Sequence, residues 1–155
     1  MNVDSVASTF VKRLSFPFFA ALVVTAFLRL NPVPITHAAS FTVTKTADTN
    51  DGVCDADCSL REAIVAANAT PGDDVIILPA GWYSLSINGV DEDAASSGDL
   101  DITSSLTING AGADITTISG NSIDRVFHIV GAANVSISNV TIEGGEYFVT
   151  GPASK

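Results

Sequence analysis

The residues best suited to chemistry crowd into one short stretch. Asp48, Asn50, Asp51, Asp55 and Asp57, with Gly52, fall within ten positions. Hard oxygen ligands on a turn suit Ca²⁺. Counted from Asp48 as the first ligand of an EF-hand loop, Asn50 falls in place but Gly52 comes one residue early, so that pattern fails. Calcium therefore competes with a plain Asx-rich solvated turn. Two cysteines interrupt the same stretch, Cys54 and Cys58, and the chain has no others. C-x-x-x-C is not the C-x-x-C of thiol oxidoreductases, and no histidine lies nearby to complete a zinc site. In an exported protein a lone pair of this kind reads as a disulfide.

A second set of candidates is scattered. Asp99 and Asp101 in GDLDIT share one strand face, and Asp124 and Arg125 precede VFHIV. Paired carboxyls at a set separation are what glycosidic cleavage uses, and these are the carboxylates and the base to test for it. The competing reading is solvated turn and strand-face charge. His128 is a surface histidine if Phe127 and Ile129 point inward. Trp82 and Tyr83 offer faces that could stack on a sugar ring, or pack as core. There is no G-x-S-x-G for serine catalysis.

These groups must be placed by elements, and the N-terminus is set aside first. Lys12 and Arg13 precede the apolar run LSFPFFAALVVTAFL (14–28), and THAAS follows at 36–40. Positive, apolar and small in that order is the pattern of a secretory signal peptide. Cleavage after Ala38 puts Thr36 at −3 and Ala38 at −1, and cleavage after Ala39 is close behind. An uncleaved anchor is the alternative, although the run is short for a membrane span of about 20 residues. The whole chain carries a net charge of −10. Three of seven basic residues and one of seventeen acidic ones precede position 39, which leaves four basic, sixteen acidic and a net −12. That surface disfavours nucleic acid and anionic lipid as partners.

After the leader, FTVTKTAD (41–48) alternates like a strand. Ser59 and Glu62 form an S-x-x-E capping box, and Leu60, Ala63, Ile64 and Ala67 make an apolar stripe that ends before Pro71-Gly72. From Asp74 onward, short β-branched runs alternate with Gly, Asn, Asp and Ser turns: VIIL, WYSLSI, LDIT, LTIN, ITTI, VFHIV, VSIS and VTI. Val75, Leu106 and Val135 open comparable strands 31 and 29 residues apart, with Ile108 and Ile137 in matching places. A period of that size with several strands per repeat predicts an all-β parallel solenoid, and a β-sandwich is the competing fold. The divisions are 1–38 signal peptide; 39–73 strand, cysteine loop and helix; 74–145 about two and a half coils; and 146–155 a tail. The helix is expected to lay Leu60, Ile64 and Ala67 over Val75 and Ile77, with Arg61 and Glu62 pointing outward or closing a local pair.

CSLREAI, preceded by FTVTKTADTNDGVCDAD and followed by DDVIILPAG and LTINGAG, resembles the CSLREA-type N-terminal region of bacterial exported proteins of the right-handed parallel β-helix class. The resemblance spans about 41–145. It implies a short capping helix, a secreted or cell-surface location, and a longer run of coils than is present here, so the solenoid reads as incomplete at its C-terminal end. It implies no defined activity. The expected role is a non-catalytic cap and first coils, structural or adhesin-like. The alternatives are an extracellular polysaccharide lyase or hydrolase, a class that includes pectin-cleaving β-helices, and a carbohydrate-binding module. Expected partners are the C-terminal continuation of the coils and a polysaccharide or other surface ligand, with no stable membrane span after cleavage.

Overall fold

The computed structural model describes residues 37–90 and 92–146. The expected signal peptide, apart from His37 and Ala38, and the tail beyond Glu146 lie outside the described residues. Within them the order is β1 (Ser40–Thr42), α1 (Leu60–Ala69), β2 (Asp74–Leu78), β3 (Gly81–Ser84), β4 (Leu100–Ile102), β5 (Leu106–Gly110), β6 (Thr116–Ser119), β7 (Phe127–Ile129), β8 (Val135–Ser138) and β9 (Thr141–Glu143). The fold is largely β, with parallel sheets and one short helix.

Every strand pairing is parallel. From β2 onward each sheet collects every third strand: β1-β2-β5-β8, β3-β6-β9 and β4-β7. Parallel partners need a long connection: between β1 and β2 it is the cysteine loop and α1, and from β2 onward it is two strands that belong to the other two sheets. Like side chains therefore stack on like. Phe41, Ile76, Ile108 and Ile137 form one such row, and Ile76 and Ile108 are fully buried. Tyr83 and Ile118 pair in the second sheet, Leu100 and Phe127 in the third.

The register corrects the sequence reading by one residue. Leu106 and Val135 pair as expected, but their neighbour in β2 is Asp74, not Val75. In a strand a one-residue shift exchanges the two faces. Ile76 and Leu78 thus point inward and Ile77 outward, 45% exposed, so α1 covers the inward pair and not Val75 and Ile77. The slip also puts a carboxylate, Asp74, at a buried ladder position that Leu106 and Val135 fill with hydrocarbon.

Two element boundaries differ as well. The strand expected over 41–48 stops at Thr42, because Thr44 N and Lys45 N turn to the carbonyl of Cys58 (2.8 and 3.3 Å). Its second half serves the cysteine loop instead of the sheet. The strand expected over 82–87 begins at Gly81 and ends at Ser84, although Leu85 stays buried and its N–H reaches Ser119 O at 2.9 Å. Gly110 closes β5 at a close approach: a Cβ there would fall 2.2 Å from Asn139 O.

Helix α1 forms where the capping box predicts. Glu62 N donates to Ser59 Oγ at 3.1 Å, and Ser59 N donates to Glu62 Oε2 at 2.7 Å. Its stripe, Leu60, Ala63, Ile64 and Ala67, is buried, and the helix packs on β1, β2 and β4.

Candidate functional site

Each residue of CSLREA has a structural task. Cys58 is bonded to Cys54, and its N–H donates to Thr44 Oγ1 at 2.8 Å. Ser59 caps the helix and also donates from Oγ to Thr49 O at 2.7 Å. Leu60 and Ala63 enter the core. Of the two expectations for the charged residues, outward or closed into a local pair, the outward one fails: both are buried and each is paired, Arg61 with Asp48 and Glu62 with Lys45. A helix seated on three strands offers them no route to water, so each is satisfied internally.

Arg61 donates five hydrogen bonds, its full complement. Nε and Nη2 reach the two carboxylate oxygens of Asp48 at 2.7 and 3.1 Å. The remaining N–H groups reach the carbonyls of Ala95 (3.1 Å), Asp99 (3.1 Å) and Gly98 (2.8 Å). Asp48 accepts two more bonds, from Ser86 N (2.7 Å) and Ile87 N (3.0 Å). Burial alone pushes the Asp48 carboxyl up, but the Arg61 guanidinium and those two N–H groups outweigh it and hold it below its ordinary value. Glu62 behaves alike. It accepts from Thr49 Oγ1 (2.8 Å), Asp51 N (3.2 Å) and Ser59 N, and pairs with Lys45 Nζ at 3.5 Å. Burial raises its carboxyl, and these donors together bring it below the usual range.

This hub disperses the residues proposed to bind calcium. Asp48 has spent its oxygens on four donors. Asp51 Oδ1 caps Val53 N at 3.0 Å, and Asp55 Oδ1 caps Asp57 N at 2.9 Å. Asp57 pairs with Lys45 at 3.1 Å on an exposed face. Asn50 Nδ2 reaches Ser96 O at 3.4 Å. The stretch folds as Asx turns around an arginine, and the five are not gathered into one site.

A different group is gathered. Segment 92–103, gripped by Arg61 and by Asn68 (Nδ2 to Asp101 O, 2.8 Å; Oδ1 from Thr103 N, 2.9 Å), carries Asp93, Asp99 and Asp101 to the third sheet. Glu92 shapes its start by accepting from Ala94 N, Ser96 Oγ and Ser97 N. Asp101 pairs with His128 across β4 and β7; His128 Nδ1 lies 2.9 Å from Asp101 Oδ1 and 3.4 Å from Asp93 Oδ1. Asp101 Oδ2 accepts from Ala95 N at 2.9 Å. Beside them Arg125 Nε contacts Asp99 Oδ2 at 2.6 Å. Burial, and then the nearby Asp101 charge, push the Asp99 carboxyl up, and Arg125 offsets only part of that.

The sequence singled out Asp99, Asp101, Asp124, Arg125 and His128, and the fold brings them together. The sequence reading did not single out Asp93 or Glu92: no spacing rule links Asp93 to a histidine some thirty-five residues away, and the bonds of Glu92 are local to its own loop. Among the described residues, Asp93, Asp101 and His128 are the one trio whose ligand atoms all lie within 4.8 Å of one another. Two carboxylates and an imidazole match a borderline divalent cation better than calcium. The reading of Asp99 and Asp101 as solvated strand-face charges is overturned: both are buried, as are Leu100 and Ile102. Asp99 Oδ2 accepts from Arg125 Nε and Asp101 Oδ2 from Ala95 N, which suits anchoring more than proton transfer to a substrate.

Trp82 and Tyr83 separate. Trp82 is 57% exposed on the outer face of the second sheet, in a row with Thr117 and Thr141. Tyr83 is buried with its hydroxyl on Pro79 O at 2.9 Å, so the two rings do not form one sugar platform. Among the described residues no helix is long and apolar enough to cross a membrane. Compared with protein families, with curated proteins and with solved structures, the chain finds no match.

Proposed function

We propose that residues 39–146 form the N-terminal cap and opening coils of an exported right-handed parallel β-helix protein of CSLREA type, with a structural role at the secreted or cell-surface end of its life. The observation that carries this reading is the packing of α1 on β1, β2 and β4, with Arg61 and Glu62 tying it to the cysteine loop and to the loop between β3 and β4. A stack of parallel strands has a raw first face, and an amphipathic helix locked over it keeps that face from pairing with another chain. At the opposite end, Ile129 and Ile142 are 50% and 46% exposed, which favours further coils as the neighbour there. Arg61→Met in the full chain tests the cap. The expected outcome is a cooperative transition shifted to lower denaturant together with concentration-dependent aggregation. A variant that stays monomeric and unfolds like the wild type sinks the reading.

A second reading, a carbohydrate-binding module, rests on Trp82 alone. It is the only tryptophan in the chain, so intrinsic fluorescence reports on it directly. Titration with soluble polygalacturonate and neutral polysaccharides, with and without Ca²⁺, tests it: saturable quenching lost in Trp82→Ala supports the module, and unchanged emission removes it.

A further inference from the structure

The sequence leaves two cleavage points open, after Ala38 and after Ala39, and the fold distinguishes them. Asp74 is fully buried at the ladder position that Leu106 and Val135 occupy in the following strands. Its Oδ1 accepts from the backbone N–H of Ala39 at 2.7 Å. Its Oδ2 is, among the described residues, the one buried side-chain polar atom with no hydrogen-bond partner. An uncompensated carboxylate oxygen in an apolar ladder is costly. An amide brings a single N–H to that carboxylate; an α-ammonium brings three, and a positive charge.

We propose that the Ala38–Ala39 bond is the processing site and that Asp74 is the receptor for the α-amine it releases. Water adds across the peptide bond in the active site of an endopeptidase that prefers small residues at −1 and −3. Ala38 leaves with the carboxylate, and Ala39 keeps the nitrogen, which takes up a proton. The new ammonium sits where the amide N–H sits now and supplies the second oxygen of Asp74. Ala38 is exposed, so its departure removes little packing. Cleavage one residue later would be harmful. Val75 N donates to Ala39 O at 2.9 Å, so losing Ala39 would strip partners from both Val75 and Asp74. The inference rests on the export reading above and adds to it the site and its acceptor.

Two measurements test it. The intact mass of the protein recovered after export in a bacterial host is expected to place Ala39 first. A product beginning at Ser40 or further on overturns the proposal and leaves export standing, whereas an intact leader overturns both. Separately, a specific protease sequence placed to end at position 38 of the full chain allows cleavage in vitro, in the wild type and in Asp74→Asn. Cleavage is expected to raise the wild-type Tm on the order of 5 °C and to leave Asp74→Asn nearly unmoved. An equal response in the two chains, or none in the wild type, overturns the pairing whatever the exported product shows.

Discussion

Arg61 spends five donors and Asp48 accepts four, and both side chains are buried. Removing either strands the other. Arg61→Met is expected to cost about 3–5 kcal/mol by urea unfolding, and Asp48→Asn combined with it less than the two single changes summed. The same residues set the acid limb. Asp48 and Glu62 are held below their ordinary values, so they add stability that is fully present above unfolded-state values of about 3.9 and 4.3 and drains away as pH falls through the lower folded values. Asp48→Asn is therefore expected to lower stability at neutral pH and to flatten its decline below about pH 4, read from chemical denaturation across that range. Asp99 contributes with the opposite sign: its raised carboxyl favours the fold at lower pH, and that contribution is lost as pH rises through the folded value. Asp48 and Arg61 were each visible in the sequence, one as a calcium candidate and one as a charge facing outward or closing a local pair. Their pairing was not, because nothing in thirteen residues of spacing says that both side chains turn into the same buried space.

At the scale of elements, α1 and the cysteine loop were the most legible features. Ser59 and Glu62 announce the helix start because the four free N–H groups there require local acceptors. Ser59→Ala removes the cap and also strands Thr49 O, so a loss near the upper end for capping residues is expected, about 2 kcal/mol by thermal unfolding. The Cys54–Cys58 bridge closes a short loop, and replacing both cysteines by serine is expected to cost about 2 kcal/mol, with the fold retained and the same difference reproduced by adding reductant to the wild type. What the sequence missed at this scale was the loop between β3 and β4. It shows no hydrophobic period, yet its backbone carbonyls are the acceptors that hold Arg61. A loop recruited as an acceptor surface leaves no pattern in its own side chains.

At the scale of the whole molecule, stability is shared out along rows that run from strand to strand. Ile76 and Ile108 are fully buried and Ile137, in the same row, is half-buried. Ile108→Ala is expected to cost about 4 kcal/mol and Ile137→Ala less than half of that, since the loss follows the hydrocarbon surface and cavity removed. Guanidinium unfolding of both variants checks the order, and equal losses would count against the row picture. The sequence by itself determined that the chain is β-rich and repeating, where helix α1 begins, and that its two cysteines are partners, because capping, alternation and turn chemistry act between near neighbours. Only the tertiary structure decided the rest. Stacking in register set Asp74 beside Leu106, turned Arg61 inward, and joined Asp93 to His128. Those outcomes depend on which distant strands lie side by side, and a single residue of register moves every side chain to the opposite face.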